Sequence, residues 1–326
     1  MLYEERQKQY SEDMEAVANQ ASVLFFDLLI SQLDEVAAER DKANADTLLR
    51  LSQGRYEVGK IAETDLLQIE LNAMQAEARL AEAQLNMTSN AERLRDFLGI
   101  TTRTNFELVP PYDLPDVEID PQEALTYSML NRSNVVEFQR RLKEAQREVA
   151  RAKGETGITA SLQGSFGLTQ TGPKINDVYQ ELLDQERVTL SFTVPIADWG
   201  KSRGRRAYAQ SQLELEQRQV EQERENFRRL VLLRAQQFEL VRRNVDIAQK
   251  SLEAARKRYN ITYQRYLIGK ISVTDLNLAL ADQETARRGY LQAIRDFWTA
   301  LYEIRGLTLY DFVEGRQLIV DNPEVD

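Results

Sequence analysis

A twelve-residue phrase occurs twice in this chain, and the repeat constrains the fold more than any other feature of the sequence. Arg55–Leu66 reads RYEVGKIAETDL and Arg265–Leu276 reads RYLIGKISVTDL, with eight of the twelve positions identical at an offset of 210 residues. In both copies a long heptad-patterned stretch precedes a glycine-centred turn, and a second helical stretch follows it. Internal repeats of this kind indicate a duplicated structural unit. The sequence therefore predicts two copies of one helical hairpin, with Gln20–Leu85 overlaying Leu230–Arg295.

The composition excludes several classes of function. The chain has 326 residues with only 14 glycines and 7 prolines, a composition that favours long helices. It contains no cysteine and no histidine, which removes thiol nucleophiles, imidazole bases and the usual zinc ligands. We therefore expect no enzyme and no catalytic, metal or cofactor site. The net charge of -10 argues against a nucleic-acid partner. No apolar run approaches the roughly 20 residues of a membrane-spanning helix.

A heptad pattern predicts that the second repeat begins with one very long helix. Apolar or aromatic side chains recur every seven residues from Val231 to Tyr266, and a second row with smaller residues runs from Val241 to Thr262. Rows that alternate in steps of three and four are typical of coiled-coil seams. Because an isolated hairpin cannot bury both faces of such a helix, the pattern also predicts neighbouring helices on each side.

Glycine and proline positions divide the chain into predicted segments. Gly59 and Gly269 break the helices inside the two repeated phrases, and Gly99 and Gly306 fall where the return helices are expected to end. Asp120–Pro121 is a helix-start signal. The first predicted segment is a helical-hairpin repeat over 1–100, with helices 3–58 and 61–98 around a tip at 58–61. A proline-rich connection over 101–120, a helix over 121–153 and a β-hairpin over 154–200 follow it. The last two segments are a second helical-hairpin repeat over 201–306, with a tip at 268–271 and a return helix over 271–305, and a C-terminal tail over 307–326.

Two stretches alternate apolar and polar residues with a period of two. In Gly157–Thr169 and Arg187–Ile196, one set of side chains is wholly apolar and the other is uncharged Ser, Thr and Gln. This alternation predicts two β-strands joined by the polar loop Gln170–Glu186. Two interpretations stay open: an antiparallel pair packed on a helical core, or membrane-barrel strands with lipid on one face and a lumen on the other.

Four phrases, in this order and spacing, resemble the TolC family of outer-membrane export ducts over nearly the whole chain. They are the two tips VGKIAETDL and IGKISVTDL, the strand-to-helix junction SFTVPIADWGKSRGR at Ser191–Arg205, and the helix LTYSMLNRSNVVEFQRRLKEAQREVARAK at Leu125–Lys153. The resemblance implies a mainly α fold, in which long coiled-coil hairpins in two tandem repeats form an α-helical barrel. It also implies that the β-hairpin contributes to a membrane β-barrel, and that a homotrimer builds both barrels.

The family's function and partners follow from the same resemblance. It implies an exit duct in the outer membrane and periplasm, through which small molecules or proteins pass without energy input. The duct would serve a tripartite efflux or type I secretion-like system. Its partners would be outer-membrane lipid, a periplasmic membrane-fusion adaptor and, through the adaptor, an inner-membrane transporter. The alternative is a soluble coiled-coil scaffold without a channel.

The chain departs from the family in its first half. Family members carry a strand hairpin and a preceding helix in each half, whereas here only the second half has them, at Gln122–Gly200. By the repeat offset Met1 matches Ser211, so the first hairpin and the signal segment would lie upstream. We therefore expect an N-terminally truncated version of the family architecture, whose β-hairpin is its least ordered part or pairs between molecules.

The resemblance also implies a gate and a docking surface at the hairpin tips. Tyr266 and Asp275 would face the lumen, with Asp65 on the adjacent hairpin, whereas Ile271 and Leu278 replace an arginine and an acid of the family gate. The implied adaptor-contact residues are Val58, Gly59, Lys60, Ile61, Ile268, Gly269, Lys270 and Ile271.

Structural roles for the same residues stay open. Asp275 follows Ser272 at the spacing of a helix capping pair, and Asp65 would be favoured by the helix dipole in a first turn. Tyr266 continues the heptad row, so core packing is an alternative to the gate. The tip lysines could simply be solvated.

Overall fold

The computed structural model describes residues 1–102, 106–171, 183–194 and 196–318. Residues 172–182 of the predicted loop and 319–326 of the predicted tail lie outside these ranges. The described chain is mainly helical, as the sequence predicts. It divides into two compact units, Met1–Leu2 with Asn134–Phe227, and Tyr3–Ser133 with Arg228–Asp326. In chain order the elements are α1 (Leu2–Glu57), α2 (Glu63–Phe97), α3 (Pro121–Asn131), α4 (Ser133–Glu155), β1 (Thr159–Thr169), β2 (Leu183–Thr193), α5 (Lys201–Leu267), α6 (Val273–Thr308), β3 (Tyr310–Asp311) and β4 (Arg316–Gln317).

The helix boundaries repeat at the offset of the duplicated phrase. α1 ends at Glu57 and α5 ends at Leu267, while α2 begins at Glu63 and α6 begins at Val273. Both pairs of boundaries are 210 residues apart. The predicted repeat of long helix, turn and return helix is therefore confirmed at the tips. Both return helices begin two residues later than the sequence predicts, because residues 62 and 272 remain extended as N-caps.

The predicted heptad seam forms the core of the larger unit. Phe238 and Val245 of α5 are buried together with Phe26 of α1 and Phe297 of α6. The rings of Phe238 and Phe297 lie 5.3 Å apart at their centroids. Burying one such side chain contributes about 1.5–3 kcal/mol relative to leaving it in water. Val117 of the proline-rich connection packs into the same cluster, so the connection belongs to this core.

The helix predicted over 121–153 is two helices, because the chain is extended at Arg132. Its backbone angles are φ -74° and ψ 145°. The Asn131 amide donates to the carbonyl of Thr308 over 2.9 Å, and the Arg132 guanidinium donates to the carbonyl of Gly306 over 2.8 Å. At the start of α4, the Ser133 N–H donates to the carboxylate of Glu12 over 2.7 Å. Glu12 of α1 thus satisfies the Ser133 N–H that the break leaves without a helical acceptor, and two side chains at the break bind the end of α6.

The prediction that Gly306 ends its helix was wrong. α6 continues to Thr308, and Leu309 ends it in the left-handed region at φ 48°. Leu309 is fully buried, and its N–H donates to the carbonyl of Arg305. Burial of the leucine side chain offsets the conformational cost of about 1–2 kcal/mol. In the first repeat, Gly99 follows α2 at φ 67°, as predicted.

One described helix contains a stretch that could cross a membrane by length and composition alone. This 18-residue stretch lies in α1, which corrects the expectation that no helix would pass such a test. In the structure 22% of the stretch is buried. Phe26 and Leu29 of α1 belong to the core of the larger unit. Packing within the protein therefore accounts for part of the apolar character of α1.

Candidate functional site at the hairpin tips

Both hairpin tips close through the same hydrogen bonds. In each, the glycine N–H donates to the carbonyl three residues earlier, and the lysine N–H that follows donates to the carbonyl five residues earlier, over 2.8 to 2.9 Å. Gly59 and Gly269 adopt φ 70° and 69°. This is the Schellman arrangement, which favours glycine at the left-handed position. The repeated sequence therefore encodes two copies of one rigid turn.

The tips expose part of the apolar set predicted to project from them. Val58 is 67% exposed and Ile268 is 66% exposed, and the lysines of both tips are exposed. Ile61 and Ile271 are only half-buried, and Ile271 packs against the cluster around Tyr266. The outermost surface of each tip is thus one aliphatic side chain beside one lysine.

The acids predicted at the gate differ in their local roles. Ser272 and Asp275 form a reciprocal capping box: the Asp275 N–H donates to the Ser272 hydroxyl over 3.2 Å, and the Ser272 N–H donates to the Asp275 carboxylate over 3.3 Å. The equivalent N-cap, Ala62, makes no side-chain cap for the first turn that holds Asp65. Both carboxylates are exposed. The capping role of Asp275 is therefore confirmed, and its gate role stays a prediction.

Tyr266 lies inside the packed tip, not on an open face of the chain. It is 5% exposed and packs with Ile69 of α2 and with α6. Its hydroxyl hydrogen-bonds the hydroxyl of Ser52 on α1 over 3.2 Å. The Arg55 guanidinium lies 5.5 Å from the centre of the Tyr266 ring and donates to the carbonyl of Leu267 over 2.8 Å. Tyr266 therefore ties the two hairpins together within the chain, and its gate role stays a prediction.

The sequence did not lead us to predict a cluster of charged side chains that lies in the larger unit. A cavity of about 530 Å³ lies among α1, α2, α5 and α6. Arg287 contacts Asp34 at 2.8 Å and Glu284 at 3.0 Å. Burial, and then the negative charge of Glu284, raise the pKa of Asp41 to about 6. Asp34 and Asp41 are seven residues apart on α1. That heptad spacing was the available signal, because it places both acids on one helix face.

The ribbon of β1 and β2 presents an apolar face that nothing in the described chain covers. All 22 positions are exposed, including Leu162 and Leu190, which lie opposite each other in the antiparallel register. Phe166 is 77% exposed. β2 begins four residues earlier than predicted and places Glu186 opposite Phe166 and Asp184 on the same face. The prediction of a wholly apolar face was therefore wrong at this end, since alternation alone does not fix where a strand starts.

Comparison with known proteins identifies the family. A model of the outer membrane efflux protein family matches residues 131–308, which is more than half of the chain. The chain belongs to the outer membrane efflux protein family. This membership places it among proteins of efflux across the outer membrane. The matched segment contains the second tip and the strand-to-helix junction Ser191–Arg205, two of the phrases that carried the resemblance.

Solved structures of this family share the fold. The CmeC outer membrane channel of Campylobacter jejuni matches with a TM-score of 0.76 and 18% identity, over 97% of this chain and 67% of that chain. VceC of Vibrio cholerae matches with a TM-score of 0.71 and 14% identity, over 94% of this chain and 74% of that chain. The open-state MtrE channel of Neisseria gonorrhoeae matches with a TM-score of 0.63 and 17% identity, over 94% of this chain and 71% of that chain. Identities this low establish similarity of fold. No curated protein matches the chain.

Proposed function

We propose that this chain forms part of a passive exit duct that assembles as a homotrimer in the outer membrane. The observation that carries the proposal is the ribbon of β1 and β2, which is exposed at every position. One face is apolar apart from Glu186 and Asp184 at the loop end, and most of the other face is Ser, Thr and Gln, with Arg187 near the same end. Exposed apolar patches of this kind mark membrane or protein contacts. In a family of outer-membrane efflux, lipid is the expected cover for that face, as in strands that alternate apolar-out and polar-in.

Substitutions on the two faces of β1 test the membrane assignment. Leu162→Arg places a charge on the apolar face, where it should cost about 2–4 kcal/mol at the middle of a bilayer. Gln163→Arg, on the opposite face, is the matched control. We expect detergent to be required to extract the unsubstituted protein and Gln163→Arg from outer-membrane fractions, and Leu162→Arg to lose this association. Equal, detergent-free extraction of all three would favour the soluble scaffold.

The tips would dock a periplasmic adaptor, which connects the duct to an inner-membrane transporter. Two identical turns present an exposed aliphatic residue beside a lysine, a surface that suits a partner with small apolar pockets and acidic groups. Gly269→Pro should open the second turn, because proline cannot reach φ 69° and lacks the N–H that the turn uses. Gly59→Pro should act likewise on the first. Gly54→Ala, inside α1, is the matched control.

A pull-down with the cognate adaptor measures this docking. We expect both proline variants to lose adaptor binding with little loss of helix content by circular dichroism, and Gly54→Ala to bind normally. Unchanged adaptor binding by the proline variants removes the docking proposal.

The gate would use the exposed acids of the tips, with Tyr266 as the packed residue that holds the hairpins together. Three copies of Asp275 around a narrow axis would attract cations. Asp275→Asn removes the charge, whereas Ser272→Ala removes the cap hydroxyl and keeps the charge. In single-channel recordings, Asp275→Asn should weaken cation preference and Ser272→Ala should retain it. Equal cation preference in both variants would leave Asp275 a capping residue, and the same recording on Asp65→Asn tests the neighbouring hairpin.

A further inference from the structure

The contact between the two tips uses a small set of residues from α1 and α5. Ser52 hydrogen-bonds the hydroxyl of Tyr266, and Arg55 donates to the carbonyl of Leu267, the last residue of α5, while lying against the Tyr266 ring. The first hairpin therefore supplies a hydroxyl and an arginine. The second hairpin supplies a tyrosine and the free carbonyl of a helix end.

The duplication places the same chemical set at the opposite positions. At the offset of 210, Thr262 is equivalent to Ser52, Arg265 is equivalent to Arg55 and Tyr56 is equivalent to Tyr266. The last residue of α1, Glu57, stands for Leu267. The second hairpin thus carries its own hydroxyl and arginine, and the first carries its own tyrosine and helix-end carbonyl. Each of these positions therefore offers the same group as its counterpart: a hydroxyl, a guanidinium, a tyrosine ring or a backbone carbonyl.

This second set has no partner within the described part of the chain. Tyr56 is 41% exposed, whereas its counterpart Tyr266 is 5% exposed. Arg265 is exposed, and its guanidinium makes no hydrogen bond or ion pair to any described residue. The Thr262 side chain is half-buried and likewise makes no hydrogen bond to a described residue. Arg55 and Tyr266 thus pair between the two hairpins, whereas their counterparts Arg265 and Tyr56 are both exposed.

Tyr56 and Arg265 stay exposed while Ser52 and Arg55 bind the end of α5, so one chain can use both sets at once. Arg55 and Tyr56 are consecutive and point about 100° apart around α1. The same holds for Arg265 and Tyr266 on α5. A contact from the second hairpin of one copy to the first hairpin of the next is heterologous, and repetition of such a contact generates a ring when the rotation closes.

We propose that Thr262 and Arg265 bind the end of α1 in a second copy of this chain. In this interface Arg265 donates to the carbonyl of Glu57 and lies against the Tyr56 ring, and the Thr262 and Tyr56 hydroxyls hydrogen-bond. The inference rests on the homotrimer of the proposed function, and it names the contacts that join neighbouring copies at the tips. The partner is a second copy because the exposed residues carry the same groups that already bind each other between the two hairpins of one chain.

Paired cysteines test this interface, because the chain has no native cysteine. The variant Tyr56→Cys with Thr262→Cys is treated with a short bis-maleimide in the assembled, membrane-extracted protein. We expect covalent dimers and larger species up to the closed ring on a denaturing gel, since each copy links to two others. The matched control, Ser52→Cys with Tyr266→Cys, should cross-link within one chain and keep the mass of a single chain.

Light scattering on the same samples separates this inference from the proposed function. A trimer whose 56–262 variant yields no product between chains, although the control cross-links, overturns the interface and leaves the duct intact. A protein that is monomeric by light scattering overturns the trimer as well. Cross-linking of 56–262 within one chain also overturns the interface.

A second variant tests the arginine without altering the cysteine sites. Arg265→Ala should weaken association between copies by about tenfold or more, because it removes a charge-assisted hydrogen bond. Its counterpart Arg55→Ala should instead lower the stability of the single chain against urea. If Arg265→Ala leaves the association constant unchanged, the proposed role of Arg265 is wrong.

Discussion

Replacing Asp41 with asparagine should make the protein more stable at neutral pH and change how its stability depends on pH. The Asp41 side chain is 20% exposed and lies beside the buried carboxylate of Glu284. Burial raises the pKa of Asp41 most, the charge of Glu284 adds to it, and Arg40 and Arg287 oppose both. The arginines therefore only partly offset the cost of charging this carboxyl group inside the folded chain.

The size of the effect follows from the pKa shift. The pKa rises from 3.8 to about 6, and each unit corresponds to 1.36 kcal/mol. Charging Asp41 therefore costs about 3 kcal/mol more in the folded chain than in the unfolded chain. The folded state binds this proton more tightly than the unfolded state does. The contribution of Asp41 protonation to the free energy of unfolding is therefore fully present below pH 3.8 and is lost as the pH rises through about 6.

Urea unfolding followed by circular dichroism at several pH values between 4 and 8 measures this linkage. Asp41→Asn should gain stability relative to the unsubstituted chain as the pH rises, by a total of about 2–3 kcal/mol. Asp46→Asn, which removes a half-exposed carboxylate paired with Lys42 on the same helix, is the matched control and should show no such gain. If the stability difference between Asp41→Asn and the unsubstituted chain is constant with pH, the buried-cluster reasoning is refuted.

Three further predictions concern stability and dynamics. Ser272→Ala should lower the free energy of unfolding by about 1 kcal/mol through loss of the capping box, whereas Ala62→Ser should raise it by supplying the missing cap; chemical denaturation of both variants shows whether the signs are opposite. Phe297→Ala, at a core position that is 1% exposed, should cost about 3–5 kcal/mol, and a cost below about 1 kcal/mol would mean that the ring is not part of the core. In the isolated monomer, β1 and β2 should exchange amide hydrogens faster than α5, because an isolated two-stranded ribbon is marginal in water; equal protection would indicate that the ribbon is packed.

The sequence predicts best what local repetition and periodicity determine. The duplicated phrase locates both turns, because the glycine in each must adopt a positive φ that other residues rarely take. The heptad row predicts burial of Phe238 and Val245, since a coiled-coil seam follows directly from spacing. The Ser272–Asp275 cap is likewise a local pattern with a known geometry. These features need no information from distant parts of the chain.

Features held by distant partners could not be predicted in this way. The break at Arg132 depends on acceptors in α6 and on Glu12, which lies 120 residues away in the sequence. Leu309 ends α6 in a conformation unusual for leucine because the core buries its side chain. The start of β2 depends on how far β1 extends, which alternation in β2 alone does not specify. In each case contacts with another segment of the chain decided the local conformation.

Planar-bilayer recording of the detergent-extracted protein tests the central claim most directly. A passive duct predicts stepwise ion conductance that persists without nucleotide or any other energy source. The recording should use protein shown by light scattering to be assembled, and Leu162→Arg protein should give no insertion events. Stable bilayers that contain the assembled protein but show no conductance would contradict the duct and leave a scaffold without a channel.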